Sequence, residues 1–182
     1  MNLGKSRVLV KSYLRGFQGC NPGSHRPSGL CIAGCVLILL PLTMKLLCFQ
    51  AKRFWWKTYS KSLPDVGSQE AEEVVRETLV VFVHAEAPDE GSERRDSVRR
   101  QTLKHIKWLA NKRNLKNVVL HSFAHLGGED VSPPFAQALM IELTQRLRDT
   151  NYNVWLTPFG YFCEWDLSVY GDSLAKVWKE IH

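Results

Sequence analysis

From residue 44 onward, apolar positions alternate between short β-branched runs and longer stripes at helical spacing, a mixture that predicts strands and helices in one domain. Residues 45–49 and the aromatic run 54–59 predict two strands joined by a short basic turn at 51–53. Residues 60–73, with Pro64 and Gly67, form a polar connection. Residues 78–85 are apolar almost without interruption, which predicts a strand buried on both faces. Ser92 and Glu93 open a helix reaching about residue 113, with Val98, Thr102, Ile106 and Leu109 near one stripe. Residues 118–120 predict a short buried strand. Ser132-Pro133-Pro134 then supplies an N-cap and a proline in the first turn of a helix carrying Phe135, Leu139, Leu143 and Leu147 at steps of four. Residues 152–156 and 161–170 predict two further strands around a turn at 157–160. Gly171-Asp172-Ser173 predicts the cap of a short last helix ending at Ile181.

The segment 117–130 stands out. An apolar strand breaks abruptly into a polar, glycine-bearing loop, Ser122 to Asp130, just before a helix. Backbone groups at a strand's C-terminal end and a helix N-terminus lack ladder partners, which suits them to hold a polar or anionic ligand.

Charge changes the picture mainly through its distribution. The chain of 182 residues has a formal net charge of +6. Residues 1–43 hold Lys5, Arg7, Lys11, Arg15 and Arg26 and no acidic residue, so the rest of the chain is nearly neutral. Two regions follow: a basic and apolar N-terminal extension, 1–43, and a globular domain, 44–182. The extension's composition suggests disorder, and its apolar run, Leu30 to Leu42, is 13 residues long, against the roughly 20 a membrane span requires. An unstructured extension, or translation from an upstream start with Met44 as the natural beginning, is therefore favoured over membrane targeting. Cys20, Cys31 and Cys35 lie in this extension. Cys48 and Cys163 alone make no disulfide framework, and the default compartment is a reducing cytoplasm. The helix from Ser92 carries a second face rich in Lys and Arg, from Arg94 to Arg113. It is read first as a solvated surface and second as one that contacts phosphates.

Ser122-Phe123-Ala124-His125-Leu126, followed after one helix by Asn153-Val154-Trp155-Leu156-Thr157-Pro158-Phe159-Gly160-Tyr161, resembles the editing domain of archaeal-type threonyl-tRNA synthetases, and Met44-Lys45-Leu46-Leu47 falls where that family begins. The resemblance covers residues 44–182. It implies a D-aminoacyl-tRNA deacylase-like α+β fold, a curved and mostly antiparallel sheet with helices packed on one face, commonly as a homodimer. It also implies hydrolysis of serine, or a similar mischarged amino acid, from the 3′ end of threonine tRNA, with a threonyl-tRNA synthetase as a further expected partner. The amino acid would be held largely by main chain, at positions corresponding to Ala85, Glu86, Phe123 and Ala124, with Tyr161 and Phe162 beside them.

Two departures from the family pattern bear on catalysis. Cys163 stands where the family has a lysine, and Lys176 where it has a glutamate. Three readings remain open: Lys176 supplies from the final helix the cation lost from the strand; Cys163 is a nucleophile activated by His125; or catalysis is lost and the domain binds tRNA or a protein. An aminoacyl ester is already activated, so a positioned water and a stabilised oxyanion serve the enzyme reading. His84 and His121, alternating within apolar strands, are read as structural. No phosphate-gripping glycine loop or set of zinc ligands is present, so no cofactor or metal is expected and the chain is not a complete threonine-tRNA ligase.

Overall fold

In the computed structural model the described residues are 44–86, 89, 92–124, 126–127 and 130–182, with only the backbone described for 92–94. The expectations for residues 1–43, and that for His125, fall outside them. The central element is β1 (Met44–Lys61), flanked on one side by β2 (Glu72–His84) and on the other by β5 (Tyr161–Val169) and β6 (Lys176–Ile181). Beyond β2 lie β3 (Asn117–Ser122) and β4 (Asn153–Leu156). The pairings of β1 are antiparallel, while β2 with β3 and β3 with β4 run parallel. Each parallel step requires a crossover, and the two helices supply them: α1 (Ser92–Asn111) between β2 and β3, and α2 (Pro133–Arg148) between β3 and β4.

The two strands expected over 45–59 are therefore one strand of 18 residues. What looked like a basic turn is a kink. Lys52 is skipped in the pairing with β2, as is its counterpart Glu77, which adopts φ 46°, and the register with β5 shifts between Ala51 and Arg53. The extra residue changes which positions face which side. Leu46 and Cys48 pack towards the helices, whereas Phe54 and Trp56 join Ala51 on the opposite face. A broken alternation in sequence is thus the mark of a bend rather than of a chain reversal.

The main core lies between the helices and one sheet face. Leu46, Leu79, Val81, Val118 and Leu120 meet Val98, Ile106 and Leu109 of α1 and Leu139, Leu143 and Leu147 of α2. Each such side chain contributes about 1.5–3 kcal/mol by leaving water. Phe135 packs at its margin. β2 is buried on both faces as expected, since Val80 and Phe82 enter a second cluster with Phe54, Trp56 and Val119 on the far side of the sheet. There the sheet curls: Trp165 of β5 comes over this cluster, with its ring 5.6 Å from that of Phe82 and 6.5 Å from that of Phe54.

The last expected helix is instead one 3₁₀ turn, Ser173–Ala175, followed by β6. The Asp172 signal is satisfied by that single turn, in which the Ala175 N–H donates to the Asp172 carbonyl at 3.1 Å. The edge of β1 then decides the outcome. Residues Met44 to Phe49 lie beyond the reach of β5, and the β-branched and aromatic run Val177-Trp178 pairs with them. Lys176 is consequently a strand residue opposite Phe49.

Candidate active site

A cavity of about 530 Å³ opens where β2 and β3 end, bounded by the start of α2 and by the turn and first residues of β5. Both flanking loops leave parallel strands at their C-terminal ends, where ligands bind in open α/β sheets. An isolated bridge between Glu86 and Asp130 joins the two loops, and the Phe123 N–H donates to the Val83 carbonyl at 2.9 Å.

Six of the residues expected from sequence line this one space: Ala85, Phe123, Ala124, Tyr161, Phe162 and Cys163. Phe159 and Trp165 add aromatic surface, and Asp130 is the one Asp, Glu, Lys or Arg among the described lining residues. Glu86 sits behind the wall, 5% exposed, in an ion pair with Lys45. Lys176 is not among the lining residues, because its element became β6 rather than a helix. Its expected role as the replacement cation thus has no support from the cavity's geometry.

The two histidines read as structural are both at the cavity. His84 is 1% exposed, and its Nε2 and Nδ1 lie 3.8 Å from Glu86 Oε1 and 3.7 Å from Asp130 Oδ1. Both separations exceed hydrogen-bonding distance, and neither nitrogen has a hydrogen-bond partner among the described residues. An unsatisfied buried polar atom costs about 1–3 kcal/mol, which makes this imidazole a candidate to bond a group in the cavity. Its position, last in an apolar strand and immediately before a cavity loop, was the available sequence signal. His121 approaches Thr157 Oγ1 at 2.8 Å through Nδ1, and burial holds its pKa down at about 4. It is therefore a neutral ring at pH 7. Burial also raises the Cys163 thiol above its ordinary value, which keeps it protonated and a poor nucleophile.

Tyr161 is fixed by its hydroxyl, which donates to the Gly67 carbonyl and accepts from the Gln69 N–H at 2.8 Å. That anchors the first residue of β5 to the β1–β2 connection. Among the described residues there is no cluster of three His, Cys, Asp or Glu side chains able to hold a metal ion, and no helix long and apolar enough to cross a membrane.

The curled mixed sheet with two crossover helices defines a D-aminoacyl-tRNA deacylase-like fold. It is similar to a probable eukaryotic D-amino acid tRNA deacylase, with a TM-score of 0.52 at 11% identity, over 76% of this chain and 98% of that one. It is likewise similar to a c-Myc DNA unwinding element binding protein, with a TM-score of 0.50 at 13% identity, over 76% of this chain and 97% of that one. Sequence is more specific. Residues 44–181 match the family described as the archaea-specific editing domain of threonyl-tRNA synthetase, and the chain belongs to that family. Its relatives include the threonine–tRNA ligases of Staphylothermus marinus, 30% identical over 142 residues, and Thermococcus onnurineus, 28% identical over 141 residues. Each match covers 76% of this chain but only 22% of the ligase, so the chain matches about a fifth of its relatives' length.

Proposed function

We propose that this domain hydrolyses the ester between a mischarged amino acid, serine or one of similar size, and the 3′ end of a tRNA. The observation that carries the reading is the convergence of Ala85, Phe123, Ala124, Tyr161, Phe162 and Cys163 on one cavity that is also lined by a buried imidazole, His84, near the carboxylates of Glu86 and Asp130. The amino acid lies against the main chain at Ala85 and Ala124. Its α-ammonium group faces Asp130, the formal charge of the described lining, and the terminal adenosine packs on aromatic walls such as Phe162 and Trp165.

Water attacks the ester carbonyl carbon, whose π electrons move onto oxygen, and the tetrahedral intermediate collapses by breaking the bond to the ribose oxygen. The proton lost by the water reaches that departing oxygen through an imidazole, for which His84 is the candidate. Because the ester is already activated, orientation in a water-restricted space supplies much of the rate. Exclusion of a larger amino acid is steric, and one methylene is worth only about 1–3 kcal/mol in such a pocket.

A second reading has its own support: no Lys or Arg lines the cavity among the described residues, and Cys163 occupies the position where the family resemblance places a lysine. On that reading the domain binds the end of tRNA, or a protein, without turnover. A panel of tRNAs charged with serine, threonine and D-amino acids decides between them. Loss of at least one ester, slowed about tenfold or more by His84→Asn, is the expected result. Retained tRNA binding with every ester intact would establish the binding module.

A further inference from the structure

Arg100, Lys104 and Trp108 follow one another at steps of four along the outer face of α1, Lys112 continues the row in the turn just after it, and all four are exposed. At 1.5 Å per residue the stripe is about 18 Å long. No acidic residue occurs between Ser97 and Arg113. The described contacts separate the cations of this helix into two groups. Arg99 is bound to Asp96 and Glu142, Arg113 to Gln50 and Asp172, and Arg95 lies 5.3 Å above the Phe135 ring, so these three hold the helix to its neighbours. Arg100, Lys104 and Lys107 form no ion pair among the described residues.

Trp108 is what sets this stripe apart from an ordinary solvated face. The residue is 43% exposed, and its ring lies 5.6 Å from the His105 ring at an interplanar angle of 29° and has Lys112 Nζ 5.5 Å from its centroid. Lys179 of β6 is near enough to act on His105 electrostatically, which extends the positive surface onto the sheet. A row of unpaired cations with a flat aromatic ring in its midst matches a nucleic acid, which offers phosphates to the former and a base or ribose face to the latter. Moreover, α1 starts a few residues beyond Glu86, so the stripe leads away from the cavity end of the sheet.

We infer that this face of α1 is a second contact surface for RNA, engaging the phosphate backbone of the tRNA whose aminoacyl end occupies the cavity. The inference rests on the proposed editing function for its choice of RNA. Its test does not depend on turnover. In the full chain, binding of uncharged tRNA is titrated over a range of salt for the native protein, for Arg100→Gln/Lys104→Gln and for Trp108→Ala. The double variant is expected to bind about tenfold or more weakly, with the salt slope lower by roughly one for each cation removed. Trp108→Ala is expected to weaken binding several-fold at unchanged slope. In parallel, hydrolysis of a 3′-aminoacyl adenosine, too short to reach α1, is expected to be the same in all three. Unchanged affinity and slope in both variants overturn the inference whatever the catalytic outcome. Loss of adenosine-ester hydrolysis in the native protein, with altered tRNA binding in the variants, overturns the editing function and leaves the surface in place.

Discussion

The Lys45 ammonium donates to the Gly127 carbonyl at 2.9 Å while also pairing with the Glu86 carboxylate. One side chain at the start of β1 thereby ties the loop after β2 to the loop after β3, the two that flank the cavity. Gly127 takes φ 88°, a conformation that glycine adopts without penalty. Both partners in the ion pair are largely buried, with side chains 14% and 7% exposed. Removal of the cation alone takes a charged partner from a buried carboxylate, a change that costs about 3 kcal/mol. Lys45→Met is therefore expected to lower the denaturant midpoint, and Lys45→Met/Glu86→Gln to recover much of the loss. Because this contact fixes the two loops relative to each other, KM for the aminoacyl ester is also expected to rise in the single variant.

Cys163 tests the meaning of the family departure. Its thiol lines the cavity and is raised in pKa by burial, so Cys163→Ser is expected to leave hydrolysis within about twofold. Cys163→Lys places a cation next to the reacting ester. It is expected to accelerate hydrolysis about tenfold, equivalent to ~1.4 kcal/mol of transition-state stabilisation. Single-turnover rates on the same charged tRNA check both. A Cys163→Ser protein without activity would return the thiol to a catalytic role.

Gly160 makes a sharper structural prediction. It adopts φ 79°, and its carbonyl accepts from the Ser62 N–H at 2.8 Å and the Leu63 N–H at 3.2 Å, fixing the turn before Tyr161. An added Cβ would stand 2.6 Å from Val66 Cγ1 and 3.4 Å from Leu63 Cβ. Strain and overlap together are expected to cost Gly160→Ala about 1–3 kcal/mol. Because the same turn delivers Tyr161, Phe162 and Cys163 to the cavity wall, ester hydrolysis should fall with stability. Thermal unfolding and initial rates measured on one preparation check the pair.

The extent to which sequence revealed this molecule follows the range of the interactions involved. Helical stripes such as Val98, Ile106 and Leu109 state their own burial, and they are buried. The loops at Ala85 and Ala124 were legible because strand ends announce themselves by a change of polarity. By contrast, the unity of β1 depends on pairing with β2 across the kink, as of Ala51 with Thr78 and Arg53 with Arg76, and the strand character of 176–181 on pairing with distant residues, such as Ile181 with Met44. Local capping signals at Asp172 and Ser173 are overridden by an unfilled sheet edge. The surroundings of His84 and His121 were not legible for a related reason: their neighbours in sequence are apolar, and the carboxylates and hydroxyl near them arrive from Glu86, Asp130 and Thr157.

His121 has a consequence for stability against pH. Its folded-state pKa of about 4 lies below the ordinary value of 6.5, because burial disfavours the charged ring. The unfolded chain therefore binds a proton at this site between those two values and the folded chain does not. Acidification through that window accordingly favours unfolding, and stability rises with pH from about 4 to 6.5 and levels off above it. The full difference corresponds to about 3 kcal/mol. His121→Asn keeps a polar group near Thr157 Oγ1 but cannot titrate. Chemical denaturation at a series of pH values is expected to show a flatter slope over this range in the variant, even if its overall stability is lower. Parallel profiles for the two proteins would mean that His121 is protonated alike in the folded and unfolded states, and burial would not be the force that governs it.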